Sequence, residues 1–180
     1  MTTPIVATGP DCVAPVGAPL QITADCVDAK FATAVIDKES DETNPVPHRK
    51  VSGHFDGTTT DFNIYLPKDG WDGRFFQLVY PLQNSTAEDR EIGFGAESGG
   101  YTVRVKGGEG YRGDAAVAKL SRTIAQDYYK SSKKRQIYGY IYGGSGGSLV
   151  VIGAMENTVG IWQGAVPLVQ AIPMSNPNNF

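Results

Sequence analysis

A serine flanked by glycines is the first feature of this sequence with the residue types that covalent chemistry needs. Residues 143–147 read Gly-Gly-Ser-Gly-Gly and satisfy the pattern G-x-S-x-G. In that pattern the serine stands on a tight turn between a strand and a helix, so that its hydroxyl projects above the carboxyl edge of a sheet. The strand-like run QIYGYIY precedes the turn, and the apolar run SLVVIGAM follows it. The sequence therefore predicts that Ser145 is a nucleophile on such an elbow.

The glycines around Ser145 have separate predicted tasks. Gly143 and Gly147 let the strand and the following helix approach closely, because a side chain would clash there. Gly144 belongs to the same elbow. The backbone N–H of Gly146 opens the helix and points toward the place where an oxyanion would form, and the helix dipole favours that negative charge. The elbow thus predicts half of an oxyanion hole.

A second oxyanion donor is expected from the loop after the third strand, VYPLQNS. Pro81 has no N–H, so Leu82 and Gln83 are the candidates.

Three other interpretations of the glycine cluster compete with the elbow. It could be a flexible Gly-Ser linker, but its flanks are apolar and strand-like. It could cradle a phosphate, although no lysine follows the glycines and the P-loop and dinucleotide patterns are unmet. It could be a structural turn with an inert serine. Ser98, in GAESGG, also lies among glycines, but it lacks the first glycine of the pattern and precedes a strand.

The first part of the chain predicts little regular structure. Residues 1–48, rich in Pro, Ala and Val, are expected to form an extended leader with one short strand or helix over residues 31–36. The charged, proline-broken segment KESDETNPVPHRK predicts an exposed loop.

From Val51 the sequence predicts the elements that position the elbow. The runs VSGHFDG and TTTDFNIYLP predict antiparallel strands. Strands and helices then alternate, which is typical of crossover connections and a mostly parallel sheet, so the predicted fold class is α/β. One helix is expected to begin with Ser85 as its N-cap, and a second with Asp114 as its N-cap and with basic residues at its end, up to Arg135.

This order of elements resembles the α/β-hydrolase superfamily over residues 51–169. The resemblance implies a serine hydrolase fold with antiparallel strands leading into a mostly parallel sheet. WDGRFFQLVY followed by an elbow ending in Gly-Gly is similar to the tannase and feruloyl-esterase group. That group usually has a cysteine directly before the nucleophile, bridged to another beside the histidine, whereas this chain has Gly144.

The base that a serine nucleophile needs is missing from the expected place. In α/β-hydrolases the order is Ser, then Asp or Glu, then His. After Ser145 the chain has no His, no Asp and one Glu, Glu156, at the expected end of the elbow helix. His48 is expected in a charged loop and His54 in a strand at the far edge of the sheet, and neither is expected to be the base.

The composition after residue 135 extends this argument. Glu156 is the sole charged residue between Gln136 and Phe180, as in the buried centre of a sheet protein. A central strand left at an edge would expose hydrogen-bonding groups and aggregate. We therefore expect residues 49–180 to be the N-terminal part of a hydrolase domain. A C-terminal segment, or a second polypeptide cleaved near Phe180 from the same precursor and still docked, would complete it and supply the acid and the histidine.

Bulk properties exclude several function classes. The net charge of −3 gives no basic footprint for nucleic acid or anionic membranes, and no apolar run is long enough to span a bilayer. Cys12 and Cys26 lie at a spacing that a disulfide could close, or they are unrelated thiols; no metal site is expected around them. A bridge and a processed chain favour a secreted protein over a cytoplasmic one.

The predicted function is hydrolysis of a carboxylic ester, or of an amide or lactone, through an acyl-enzyme on Ser145, without a cofactor. Acyl transfer on the same fold and a non-catalytic α/β-hydrolase-fold binding subunit are the alternatives, with a phosphate- or nucleotide-binding domain as a third.

Overall fold

The computed structural model describes residues 3–170 and contains one large sheet, one two-stranded sheet and three α-helices. The elements are β1 (Thr3–Val6), β2 (Ile22–Thr23), a 3-10 turn (Ala29–Phe31), β3 (Thr33–Glu42), β4 (His48–Phe55), β5 (Asp61–Pro67), β6 (Arg74–Leu78), α1 (Asp89–Glu97), β7 (Gly100–Val105), α2 (Gly110–Tyr128), β8 (Tyr138–Ser145), α3 (Gly146–Asn157), β9 (Thr158–Val159) and β10 (Gly164–Gln170). β2 pairs with β9.

The large sheet has eight strands in the order β1-β3-β4-β5-β7-β6-β8-β10. All pairings from β1 through β5 to β7 are antiparallel, whereas β7, β6, β8 and β10 run parallel to one another. The predicted α/β class and the antiparallel leading strands are confirmed. The antiparallel half is larger than predicted, because β1 and β3 come from the stretch expected to be a leader.

The chain reverses its direction of travel across the sheet at β6. It leaves β6 through α1 to β7 on one side, and then crosses back through α2 to β8 on the other side. In open α/β sheets, ligands bind outside the carboxyl ends of the strands at such a switch point. Here that place lies between the ends of β6 and β8.

The helices cover the two faces of the parallel half unequally. α2 and α3 pack together on one face, where Gln77 and Tyr101 hydrogen-bond to α2. α1 lies on the other face, where it packs against β7 and the Glu91 carbonyl accepts a hydrogen bond from Thr102. None of the helices within residues 3–170 is long and apolar enough to cross a bilayer.

Three local predictions are wrong. The expected loop over residues 38–50 is mostly sheet, because β3 continues to Glu42 and β4 begins at His48 with cross-strand ion pairs from Arg49 to Glu39 and Asp41. Charged side chains can occupy both faces of a strand pair and form cross-strand ion pairs. The prolines predict irregular structure only for the short connection between β3 and β4.

Both predicted N-caps are also wrong. α1 begins after Glu88, which forms a capping box with Glu91, while the Ser85 carbonyl accepts a hydrogen bond from Asn63. α2 begins four residues before Asp114 and ends at Tyr128, so Asp114 lies inside the helix and the basic residues follow it.

Candidate active site

Ser145 lies at the carboxyl end of β8 and at the first position before α3. Its backbone has φ of +52° and ψ of −118°, in a region that a residue with a side chain rarely adopts. Such strained positions persist where the surrounding structure determines them, and they cluster at functional sites. The side chain is exposed, and the Ser145 carbonyl accepts a 2.6 Å hydrogen bond from the Ser148 hydroxyl. The chain thus presents Ser145 at the switch point of the sheet.

Two of the elbow glycines are required by the backbone of the neighbouring strand. A methyl group at Gly147 would collide with the Val79 carbonyl oxygen, and one at Gly143 would lie 2.6 Å from the same oxygen. A methyl group at Gly144 would meet nothing closer than the Leu168 carbonyl oxygen at 3.8 Å. The close approach of β6, β8 and α3 therefore depends on Gly143 and Gly147, and the position before the serine is open.

The loop after β6 lies against the residue that follows the serine. A methyl group at Gly146 would lie 3.4 Å from the Tyr80 ring and 3.5 Å from Pro81. Gly146 is the first residue of α3, where backbone N–H groups have no partner within the helix. The Gly146 N–H and the loop after β6 therefore border the same space beside Ser145.

Gln83 fastens this loop to the ends of two strands. Its side-chain amide donates to the Leu78 carbonyl over 3.1 Å and to the Val105 carbonyl over 2.7 Å. Its backbone N–H donates to the Tyr80 carbonyl over 3.2 Å, and its carbonyl accepts from Gly107. The Gln83 N–H is thus already used, and of the two predicted donors Leu82 is the one whose N–H has no acceptor among residues 3–170.

A buried carboxyl group that the sequence did not single out lies below this loop. Asp114 is 7% exposed, and Gln77 donates to its side chain over 3.4 Å and to its carbonyl over 3.2 Å. Trp162 in turn donates to the Gln77 side-chain oxygen. Burial raises the pKa of Asp114 to about 7, although the hydrogen bond from Gln77 acts in the opposite direction.

Asp114 also lines a cavity of about 180 Å³ together with Tyr80, Pro81 and Val150. A perturbed carboxyl group beside a cavity is a recognised mark of functional sites. From the sequence, Asp114 was assigned as an N-cap and was therefore not identified as a buried carboxyl group. Asp114 is the fifth residue of an amphipathic helix, and that position was the signal that could have identified it. A larger cavity of about 500 Å³ lies between the N-terminal segment and α2, and no elbow residue lines it.

Both histidines lie on β4, away from the elbow. In the sheet order β4 and β8 are four strand spacings apart, which is roughly 19 Å. His48 is 1% exposed and its Nδ1 lies 2.8 Å from the Val46 carbonyl, so the expectation of a loop histidine is wrong. His54 pairs with Asp37 over 2.8 Å, on the third strand from the edge. Glu156 is exposed near the end of α3.

The N-terminal segment is tied to α2 by several contacts. Cys12 and Cys26 form a disulfide with a Cα–Cα distance of 4.9 Å. Arg112 makes a bidentate pair with Asp28 over 2.6 and 2.7 Å, and Lys119 donates to the Cys26 carbonyl. Among residues 3–170, no group of three or more His, Cys, Asp or Glu side chains is arranged to hold a metal ion.

No known protein family and no curated protein matches the sequence. Solved structures are similar in fold. Tannin acyl hydrolase from Aspergillus niger superimposes with a TM-score of 0.53 at 15% identity, over 92% of this chain and 31% of that chain. Acetyl xylan esterase from Paenibacillus sp. R4 gives 0.48 at 15% identity, over 73% and 53%. An esterase from Aspergillus oryzae gives 0.41 at 11% identity, over 86% and 31%.

The superposition on the tannin acyl hydrolase concerns the fold alone, because the sequence identity is low. The chain spans 31% of the length of that protein, so the superposed region is less than a third of the larger molecule. Together with the strand order and the strand-turn-helix at Ser145, it shows that this chain has an α/β-hydrolase-like fold.

Proposed function

We propose that this chain carries the nucleophile of a serine hydrolase that cleaves a carboxylic ester. The observation that carries the proposal is the strained backbone of Ser145 between β8 and α3, beside the Gly146 N–H. A serine held at φ of +52° and ψ of −118° costs stability, and positions strained in this way cluster at functional sites. The tannin acyl hydrolase that shares the fold is named as an acyl hydrolase, which supports the same general reaction class.

The proposed reaction follows the acyl-enzyme route. The Ser145 hydroxyl oxygen attacks the ester carbonyl carbon, its proton passes to a histidine, and the carbonyl oxygen becomes an oxyanion. The Gly146 N–H and a donor from the loop after β6 hold that oxyanion. Leu82 is the candidate for this donor, because the Gln83 N–H already donates to the Tyr80 carbonyl. The carbon–alkoxide bond then breaks, and the leaving alcohol takes the proton from the histidine. Water attacks the acyl-enzyme in the second half and releases the carboxylic acid.

The histidine and its acid are proposed to come from a second polypeptide that is the C-terminal part of the same precursor. Neither histidine on β4 is within reach of Ser145, and residues 146–170 contain no histidine and one exposed carboxyl group, Glu156. A serine without a base is a poor nucleophile. The disulfide in the N-terminal segment and such processing favour export from the cytosol.

A fluorophosphonate probe tests the proposal on the protein purified from its native source. The probe forms a covalent bond only with an activated serine, so the expected result is a single adduct on Ser145, located by peptide mass spectrometry. Ser98→Ala should be labelled like the wild type and Ser145→Ala should not be labelled. A native preparation that remains unlabelled at Ser145 would refute the proposal that this chain belongs to a serine hydrolase. It would favour the alternative of a non-catalytic binding subunit. Product analysis with a competing alcohol separates hydrolysis from acyl transfer.

A further inference from the structure

A cavity at the amino-terminal end of β8 is lined mainly by positively charged side chains. Its volume is about 270 Å³, and it lies between α2, the segment before β8 and Gly160. No Asp or Glu among residues 3–170 lines it, whereas five cations do: Lys119, Arg122, Lys133, Lys134 and Arg135. The whole chain has a net charge of −3, so this concentration of positive charge is local. We call the five cations and the space that they border the basic pocket.

Two of the cations lie on the same face of α2. Lys119 and Arg122 are three residues apart in the helix, so their side chains are neighbours. The Lys119 ammonium donates to the Thr23 carbonyl over 2.9 Å and to the Cys26 carbonyl. Burial lowers the pKa of Lys119, and repulsion from Arg122 acts in the same direction, whereas Asp25 opposes both. The helix thus holds two like charges together in a partly buried place.

Carbonyl groups also hold the guanidinium of Arg122. Its Nε donates to the Ile137 carbonyl over 3.3 Å and its Nη2 donates to the Ile161 carbonyl, while its Nη1 has no acceptor among residues 3–170. The guanidinium carbon lies 4.9 Å from the centroid of the Phe75 ring. Carbonyl groups are neutral, so they fix the position of a cation without cancelling its charge. Both cations of α2 therefore keep their charge and have N–H groups to spare for an anion.

The segment after α2 supplies the other three cations. The Gln126 side-chain amide donates to the Lys133 carbonyl over 3.5 Å, which ties this segment to α2. Neither Lys133 nor Lys134 has a carboxylate within ion-pair distance among residues 3–170, and both are exposed. Arg135 approaches Asp72 through one nitrogen over 3.5 Å. Two lysines of the basic pocket are therefore without a counter-charge.

The dipole of α2 does not account for this cluster. Basic residues stabilise the last turn of a helix, and the effect falls off beyond that turn. α2 ends at Tyr128, and Lys133 lies five residues beyond it. Lys119 and Arg122 lie inside the helix, where like charges at this spacing repel one another. Cations that are held together against repulsion favour the binding of an anion between them.

The size and place of the basic pocket indicate a small ligand and a site of its own. Its volume is slightly below the range of roughly 300–1,000 Å³ that is usual for small-molecule sites. A nucleic acid or an anionic membrane is bound by a broad basic surface, which an acidic chain with one basic cavity does not offer. Ser145 stands at the other end of β8, roughly 23 Å from Tyr138. The basic pocket is therefore separate from the elbow.

We propose that the basic pocket binds a small molecule through a phosphate or sulfate group, either as an organic monoester or as the free inorganic ion. A tetrahedral oxyanion accepts hydrogen bonds from several donors at once, and arginine binds such groups in a bidentate manner. Arg122 is the anchor in this arrangement, and Lys133 and Lys134 add charge from the exposed side. The site does not depend on the proposed reaction at Ser145.

The experiment compares two pairs of lysines by isothermal titration calorimetry. The full protein is expressed in its native cells, and the probes are glucose 6-phosphate, inorganic phosphate and inorganic sulfate, with glucose as the uncharged control. One double variant carries Lys133→Gln and Lys134→Gln in the basic pocket. The matched control carries Lys38→Gln and Lys68→Gln, which remove two exposed charges from the antiparallel half. Circular dichroism verifies that both double variants are folded.

The wild type should bind one equivalent of at least one anionic probe and should not bind glucose. The pocket variant should weaken this binding about tenfold or more, because charge-assisted hydrogen bonds are lost, whereas the control should change it by less than about twofold. Tighter binding of glucose 6-phosphate than of both inorganic ions identifies the ligand as an ester, and equal or tighter binding of an inorganic ion identifies it as the free ion.

Three results would overturn the proposed site. The first is that none of the three anionic probes binds the wild type saturably. The second is that both double variants weaken binding equally, which would reflect the overall charge of the protein. The third is that single-stranded DNA binds while the small anions do not, which would replace the pocket by a polyanion-binding surface.

Discussion

The two halves of the large sheet are built in different ways. In the antiparallel half, Phe55 packs between Phe31 and Phe62 with ring centroids 5.4 and 5.7 Å apart, and Arg49 links two carboxylates of the next strand. The carboxyl edge of the parallel half contains the strained Ser145 and the buried Asp114. It also contains Gly143 and Gly147, where a side chain would collide with the backbone. The parallel half has a buried core of its own, in which Phe75 stacks on Tyr101. The two halves therefore differ in that the features that cost stability lie in the parallel half, around the proposed site.

The largest expected effect is the loss of reaction at Ser145 in the parallel half, without a loss of folding stability. Ser145→Ala removes the nucleophile, so fluorophosphonate labelling and ester hydrolysis should fall by about 10³-fold or more. Ser145→Gly should abolish the reaction equally and raise the free energy of unfolding by about 1 kcal/mol, because glycine adopts positive φ without strain. The measurements are labelling and urea unfolding. If Ser145→Gly proves less stable than the wild type, the strain does not exist.

In the antiparallel half we expect a substitution to reduce stability without slowing the reaction of Ser145. Phe55→Ala should reduce the free energy of unfolding by about 4 kcal/mol, since it removes a ring that is 2% exposed from the aromatic cluster. The folded fraction should still react at Ser145 at the wild-type rate. Urea unfolding and the labelling rate per folded molecule check this, and a slowed rate would show that the two halves are coupled.

Two glycines of the elbow should respond unequally to the same methyl group. Gly147→Ala should destabilise the protein by about 3 kcal/mol, because the added methyl group would lie 2.3 Å from the backbone carbonyl oxygen of Val79 and the backbone would have to shift. Gly144→Ala has open space and should change stability by less than about 0.5 kcal/mol. Thermal unfolding of both variants measures the contrast, and equal losses would contradict the packing described for the turn.

Asp114 should make the parallel half sensitive to pH. Burial raises its folded-state pKa to about 7 from an ordinary value of 3.8. As pH rises, the unfolded chain loses this proton first while the folded chain retains it, so the contribution to stability falls until the folded pKa is passed. Between about pH 5 and pH 7 the wild type should lose about 2 kcal/mol relative to Asp114→Asn. Asp56→Asn, exposed on a turn, is the control, and parallel pH profiles for all three proteins would refute the assignment.

The smallest expected effect concerns the loop after β6. Gln83→Met keeps the side-chain volume and removes both amide donors, so the loop should hold the oxyanion less well and the turnover rate should fall about tenfold with little change in KM. Gln126→Met, which loses one hydrogen bond on α2, is the control. A change in KM alone would indicate that Gln83 shapes the binding of substrate instead.

The sequence predicted best what depends on local pattern. The strand before Ser145 and the apolar helix after it were predicted from residue type alone, because a glycine cluster between two such runs has few folded solutions. The prediction of a loop over residues 38–50 failed because charged β-strands resemble loops when the partner strand is unknown. The short element expected over residues 31–36 is present as the end of the 3-10 turn and the start of β3. Asp114 was misassigned because an acidic residue near a helix start fits an N-cap as well as a buried position. Tertiary contact with Gln77 decides between them.

A strained conformation at Ser145 is expected for the serine of such an elbow, but its dihedral angles and the bonds of Gln83 could not be predicted. The dihedral angles of Ser145 depend on how closely α3 returns over β6, which is a property of three elements together. The two carbonyls that Gln83 binds lie 5 and 22 residues away. Their proximity depends on the parallel pairing of β6 and β7.

The open position before the serine has a consequence for how such a site would be held together. Gly144 pairs with Leu168 of β10, and a cysteine in its place could have formed a covalent bond to the second polypeptide proposed above. With glycine at this position that tether is absent, and we expect the association of the proposed second polypeptide to follow mass action. We expect the specific activity of such an enzyme to decline on dilution and to recover on concentration, as in any catalyst whose parts associate reversibly.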